Sequence, residues 1–292
     1  MSVGEVLARV VYASPTRLAV LVPVGLEAGP ALVLANGRSS IVQVASSFAT
    51  GLHQVDNPVF DRDGNLYVTY SGTRGQQVPV SIFRVRPDGT RETFCSGIVN
   101  PTSMALDADG QLHVSSRFEG AVYRVAPDGS AERFASDLGI ACGLAFAPDG
   151  TLFVGDRSGT IFRVDRKGHA TVFSMLPSSV AAFHLALGPD GFLYVSGPTL
   201  ASYDAVYRID TNGSATVVSS AFGRPQGLAF DRAGSLHVID ALAGDSGLYR
   251  VPLAGDPELV LSGSGLVGVA FDSRGGLVVC TNDTAYRVPA AE

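Results

Sequence analysis

Along most of this chain, apolar and polar positions alternate in short runs bounded by glycine, aspartate or asparagine. A period of two marks strands with one or both faces buried, so the chain reads as all-β. The runs also recur. A turn glycine followed by a strand-like segment stands at Gly64 (GNLYV), Gly110 (GQLHV), Gly150 (GTLFV), Gly191 (GFLYV), Gly234 (GSLHV) and Gly275 (GGLVV), at spacings of 46, 40, 41, 43 and 41 residues. An apolar stretch precedes each glycine. After it come an alternating run, an aromatic-Arg-aliphatic triplet such as Phe83-Arg84-Val85 or Tyr123-Arg124-Val125, and usually a second turn with a short last strand. Each unit therefore predicts four antiparallel strands, A to D, joined by Asp-Gly or Asn-Gly turns in which glycine supplies positive φ.

A four-stranded sheet that is apolar on both faces is not stable alone in water. Radial stacking of like sheets buries both faces, which predicts a six-bladed β-propeller of four-stranded antiparallel blades. The last unit stops after its C strand. Extending the mean repeat backwards places the missing D strand near residue 43, so Ile41 to Ala45 is expected to close the last blade against Ala285 to Val288. Residues 1–38 fall outside the repeat and read as strands over 6–12, 17–22 and 31–35, which divides the chain into a 1–38 β segment and a 39–292 propeller.

The stretch SPTRLAVLVPVGLEAGPALVLANG, with its serine-threonine turn, a strand ending in Val-Pro, and Gly-Leu-x-Ala-Gly before the next strand, resembles the C-terminal half of an immunoglobulin-like TIG domain. The remainder resembles NHL-type and gluconolactonase-type (regucalcin-like) six-bladed propellers. The residues that carry this are Pro225 to Asp231, its degenerate copies Pro101 to Asp107 and Gly268 to Asp272, and the repeated DG-x-L-aromatic-V strands. That architecture hosts lactonases, lyases and binding scaffolds alike, so function must be argued from a site.

Composition narrows the field. The net charge of −6, with no basic stripe, argues against nucleic acid or an anionic membrane surface as partner. Cys95, Cys142 and Cys280 are too widely spaced for a CxxC metal pair or a disulfide framework. Glu5 and Arg9 interrupt the apolar N-terminus, so no signal peptide is read, and no window is apolar enough to span a bilayer. The chain reads as soluble, with a secreted or bacterial cell-envelope location expected if a leader has been removed. GxSxG, HExxH, phosphate-loop and dinucleotide motifs are absent.

The ring supplies its own test of function. A residue needed by the blade recurs six times, whereas a residue needed for chemistry is required once. By that test the triplet arginines are scaffold, their stems packed between blades and their heads paired to turn carboxylates. The A-B and C-D turns share one rim, and the D-A and B-C loops share the other, which is where a site is expected.

At the channel end of strand A the units carry Asp56, Thr102, Cys142, Phe183, Gln226 and Val267; one place later stand Asn57, Ser103, Gly143, His184, Gly227 and Gly268. Asp56 to Phe60 resembles the Glu-Gly-Pro-Val-Trp motif of the gluconolactonase-type propellers. That resemblance implies Asp56 as a metal ligand and one divalent cation, calcium or zinc, in the central channel. The other matching positions lack strong oxygen ligands, and a hard cation requires six or more oxygens. His184 is the candidate general base. Arg117, Asp156, Arg157, Asp240 and Asn282 follow strand B and, with Gln226 and Thr102, are candidate ligand-binding residues; capping of the B-C turns is the alternative role of the two aspartates. Two functions remain, and whether the chain is an enzyme stays open. The degraded metal set favours a binding propeller that holds a peptide, glycan or protein partner on its loop rim. The alternative is a divalent-metal-dependent lactone hydrolase or lyase built on Asp56, His184, Gln226 and Asp240.

Overall fold

The computed structural model describes residues 1–16, 18–53, 57–242 and 246–288. Its elements are all β-strands. The first blade is Val59–Phe60, Leu66–Thr69, Ile82–Val85 and Arg91–Cys95, and the second is Pro101–Leu106, Leu112–Ser116, Ala121–Val125 and Ala131–Ala135. The third runs through Ala141–Phe146, Leu152–Asp156, Thr160–Val164 and Ala170–Met175. The fourth comprises His184–Leu187, Leu193–Ser196, Asp204–Ile209 and Ala215–Phe222; the fifth, Pro225–Phe230, Leu236–Asp240, Gly247–Val251 and Glu258–Ser262. Each is an antiparallel meander.

Local chemistry fixes the hairpins. In the A-B turns a carboxylate three residues before the glycine closes the loop: Asp61 Oδ1 accepts the backbone N–H groups of Asp63 and Asn65 at 2.9 and 2.8 Å, and Asp231 does the same for Ala233 and Ser235. The C-D turn glycines have a second constraint besides positive φ. A Cβ on Gly129, Gly168 or Gly213 would lie 1.9, 2.1 or 2.2 Å from the carbonyl oxygen of Phe94, Phe134 or Phe173 in the preceding blade.

The sheets are apolar on both faces, and six clusters of buried side chains fill the spaces between neighbours. Leu66 and Val68 of the first blade, for example, meet Val278 and Cys280 of the last, and Leu144 and Val154 meet Val122 and Leu138. The innermost strands touch in a closed circuit that runs from Val59–Phe60 through each strand A to Gly268–Phe271 and back. The architecture is a β-propeller. The triplet arginines Arg84, Arg163, Arg208 and Arg287 stack over aromatic rings, Arg208 over Phe192 at 4.0 Å and Arg287 over Phe48 at 3.7 Å. Arg208 pairs with the turn carboxylate of Asp190, as expected, whereas Arg84, Arg124 and Arg250 pair instead with strand-D glutamates Glu92, Glu132 and Glu258.

An N-terminal strand closes the last blade, but not the one expected. The sheet of Gly268–Phe271, Leu277–Cys280 and Thr284–Val288 is completed by Ser46–Thr50, with Ala285 opposite Ala49 and Tyr286 opposite Ser47. The predicted segment belongs to Arg38–Val44, which pairs with Gly29–Ala35, Val42 lying opposite Ala31. The reason is the Asn36-Gly37 turn, whose φ values of 51° and 77° make the two-residue hairpin loop that matches strand twist and captures the run following it. Those two strands share a sheet with Ser2–Val3 and Val6–Leu7, and Arg9–Ala13 pairs separately with Leu18–Leu21. No described helix is long and apolar enough to cross a membrane.

Candidate functional site

Two buried aspartates shape the rim formed by the D-A and B-C loops. Asp156, at the end of a strand B, accepts the backbone N–H of Ile140 (2.7 Å) and the Ser158 hydroxyl, while Arg157 N donates to Ile140 O (3.2 Å). Gly139 must be glycine here: its φ is 63°, and a Cβ would stand 2.6 Å from the Asp156 carboxyl carbon. The fifth blade repeats the device. Asp240 accepts the N–H groups of Gly223 (3.1 Å), Arg224 (2.7 Å) and Leu242 (3.3 Å), and Ala241 N donates to Arg224 O (3.0 Å). In the second blade Ser116 Oγ donates to Val99 O (2.5 Å), and Arg117 N donates to Asn100 O (3.3 Å). Both carboxylates, at 6% and 4% exposure, are thus engaged by backbone amides and hold loops in place.

These clamps set three arginines around one opening. A cavity of about 330 Å³ is lined by Arg117, Arg157, Arg224, Gln226, Cys142 and Asn282, together with the connection into the fourth blade. Contributions from the second, third, fifth and sixth blades place it on the ring axis, at the channel mouth. Arg157 is anchored by Nε to Ser179 O (3.2 Å) and by Nη2 to Val180 O (2.5 Å). No carboxylate lines the cavity among the described residues. Clefts of about 380 and 480 Å³ also exist, but they lie between neighbouring blades against repeated turns and triplet arginines, so they belong to the scaffold.

Behind Gln226 lies His184, fully buried. Its Nδ1 stands 2.9 Å from Asn57 Oδ1, and Asn57 Nδ2 donates to Ser103 Oγ at 2.7 Å. With the Asn57 amide so oriented, Nδ1 carries the imidazole proton and Nε2 presents a lone pair. Nε2 makes no hydrogen bond of ordinary geometry, although the Gln226 side chain is near enough to favour the protonated ring. Burial prevails and pushes the imidazole pKa down to about 4, so the ring is neutral at pH 7.

Of the residues singled out from sequence, the cavity brings together Arg117, Arg157, Gln226 and Asn282, with His184 outside its lining and against Gln226. Thr102 is buried and donates to Asn100 O (3.2 Å), while Cys142 Sγ occupies the matching slot against Ile140 O (3.2 Å). Asp56 lies outside the described residues. Arg224 was missed. It stands two places before the channel position, where the other units carry residues such as Asn100, Ile140 and Ala181, so it too breaks the repeat and the same test applied there would have found it.

The described residues do not fit a divalent cation. Asn57 Oδ1 is taken by the His184 N–H, the Asp240 carboxylate by backbone amides, that of Asp156 by a backbone amide and the Ser158 hydroxyl, and three arginines line the cavity. Among the described residues no group of three or more His, Cys, Asp or Glu side chains could hold a metal.

No family model matches the chain, and no curated protein matches it. Solved structures do. A gluconolactonase from Xanthomonas campestris superposes with a TM-score of 0.69 at 17% identity, covering 91% of this chain and 96% of the other. These likenesses establish the fold. A catalytically inactive virginiamycin B lyase from Staphylococcus aureus with quinupristin gives 0.61 at 14%, covering 90% and 88%. An auxiliary nutrient binding protein from Bacteroides thetaiotaomicron gives 0.65 at 13%, covering 96% and 88%. Enzymes and a binding protein stand side by side in this set, so the shared propeller leaves the choice between them to the site.

Proposed function

We propose that this propeller hydrolyses small lactones or related cyclic esters at its channel mouth. The observation that carries this reading is a buried imidazole whose Nε2 makes no hydrogen bond of ordinary geometry, placed against Gln226 at a cavity that Gln226 lines together with three arginines. The guanidinium donors polarise the ester carbonyl and take up the charge of the tetrahedral intermediate. A water reaching Nε2, with the Gln226 side chain turned aside, gives its proton to His184 as its oxygen bonds the carbonyl carbon. The ring C–O bond then breaks, and His184 returns the proton to the departing alkoxide, leaving a hydroxy acid. The likeness in fold to a gluconolactonase supports this substrate class.

Ligand capture without turnover is the second reading, favoured by the complete enclosure of His184. Acid release from a panel of aldonolactones, followed with a pH indicator with and without chelator, separates the two. Turnover that is lost in His184→Gln supports the hydrolase. Lactones that bind without acid release leave the capture reading.

A further inference from the structure

We infer that the channel mouth is an oxyanion site whose ligand carries the carboxylate of a small polyhydroxy acid, held by Arg157 and Arg224 with Arg117 on the same wall. The inference deepens the hydrolase reading and rests on it only for the identity of the acid. Its first support is placement. Arginine occurs in all six triplets, where it serves the blades, but at the two phases that face the cavity it occurs only at 117, 157 and 224. Equivalent positions such as Ser71, Pro198 and Ala241, or Asn100, Ile140 and Ala181, show that a blade forms without it. The loop carrying Arg224 is held through its backbone by Asp240, so folding places no demand on that side chain.

Electrostatics is the second support. The chain has a net charge of −6, yet three arginines line one cavity of about 330 Å³ whose described lining has no carboxylate. Asp156 and Asp240, the acids that clamp this rim, are engaged by backbone amides and, for Asp156, by the Ser158 hydroxyl, and neither lines the cavity. An oxyanion matches the planar donor fork of arginine. Anchoring of the Arg157 guanidinium to Ser179 O and Val180 O keeps it at the wall before a ligand arrives. Gln226 and Asn282 add amide groups able to meet hydroxyls, which is the chemistry of a polyhydroxy acid.

The test is titration calorimetry on the full chain with gluconate and with sorbitol, which has the same carbon chain without the carboxylate. Gluconate is expected to bind at least about tenfold more tightly than sorbitol, more weakly as salt is raised, and at least about tenfold more weakly in Arg224→Gln. Arg157→Gln removes loop contacts as well, so its melting curve is read first, and Arg224→Gln decides if it unfolds. Equal binding of the two polyols, or wild-type affinity in Arg224→Gln, overturns the site. Inorganic phosphate binding more tightly than gluconate overturns the carboxylate assignment. Gluconate binding without lactone turnover sinks the hydrolase and keeps the anion site, whereas turnover without a preference for gluconate over sorbitol does the reverse.

Discussion

His184 Nδ1 and Asn57 Oδ1 stand 2.9 Å apart although 127 residues separate them, joining the fourth blade to the approach of the first across the ring axis. The link continues. Asn57 Nδ2 donates to Ser103 Oγ of the second blade, which also receives the backbone N–H of Leu144 from the third (3.1 Å). Four blades thus share one buried polar chain at the channel, and each link is a hydrogen bond that water cannot replace there. Asn57→Ala is expected to lower stability by about 1–3 kcal/mol by leaving the His184 N–H unpaired. Urea denaturation of the two proteins at pH 7 measures it, and unchanged stability would mean that the chain is not closed in solution.

The same imidazole predicts a pH dependence. Burial holds its pKa near 4 in the folded protein against an ordinary value of 6.5, so between those pH values the unfolded chain binds a proton that the folded chain excludes. Stability from this group is complete above about pH 6.5, declines as pH falls towards 4, and changes no further below it. The full difference is on the order of 3 kcal/mol. Buried His113 and His237 are shifted in the same direction by desolvation and remain in the variant. His184→Gln should therefore show a shallower loss of stability than wild type between pH 6.5 and 4.5, and parallel curves would refute the assignment.

Asp240 provides a cleaner test of the rim. Replacing it with alanine strands the N–H groups of Gly223, Arg224 and Leu242, at an expected cost of about 2–4 kcal/mol. Asparagine keeps one acceptor oxygen and should recover part of that loss. Thermal melting of both variants beside Arg224→Gln separates loop support from ligand contact: the aspartate variants lose stability, whereas the arginine variant keeps it and loses gluconate. An Asp240→Ala protein that melts like wild type would remove the clamp from the account.

How much of this was legible in the chain depends on whether repetition carried the signal. The blades were legible because Gly64, Gly110, Gly150, Gly191, Gly234 and Gly275 recur with one phase and one chemistry. The closing strand was displaced because averaging a repeat cannot see the Asn36-Gly37 hairpin, a local turn that competes for the same segment. Asp156 and Asp240 share a phase, but which way each carboxylate turns is set by the folded loops, here onto backbone amides and, for Asp156, the Ser158 hydroxyl as well. Arg224 was readable in principle. It breaks the repeat in the loop before strand A, outside the channel end of strand A and the end of strand B where the candidate residues lie.

Gly168 tests the second constraint on the C-D turns. Its φ of 85° alone costs an alanine about 1–2 kcal/mol. The added Cβ would also lie 2.1 Å from Phe134 O, a backbone atom of the neighbouring blade with no side-chain freedom to yield. Gly168→Ala should therefore cost clearly more than Gly110→Ala, where φ is 83° and nothing lies within 4 Å of the new atom. Denaturation midpoints of the two variants give the comparison, and equal losses would show that the blades are not in contact at that turn.

Ring closure can be tested by where the chain is cut. A protein starting at Ser46 keeps the strand Ser46–Thr50 that pairs with Thr284–Arg287; it loses the N-terminal sheet, whose strand Arg38–Val44 is exposed apart from Val44, the separate pair Arg9–Ala13 with Leu18–Leu21, and the contact of Ala45 with the cluster around Ile239 and Val279. It should keep the oligomeric state of the full chain and melt in one cooperative transition. A protein starting at Leu52 leaves Thr284–Val288 as an open edge and uncovers Ala285, buried in the full chain, along with the cluster that Ala49 helps to seal. Unpaired edges of this kind recruit other chains, so aggregation and a lower melting temperature are expected. If closure instead depended on residues 41–45, the protein starting at Ser46 would already fail, and size-exclusion chromatography of the two truncations decides between the two strands.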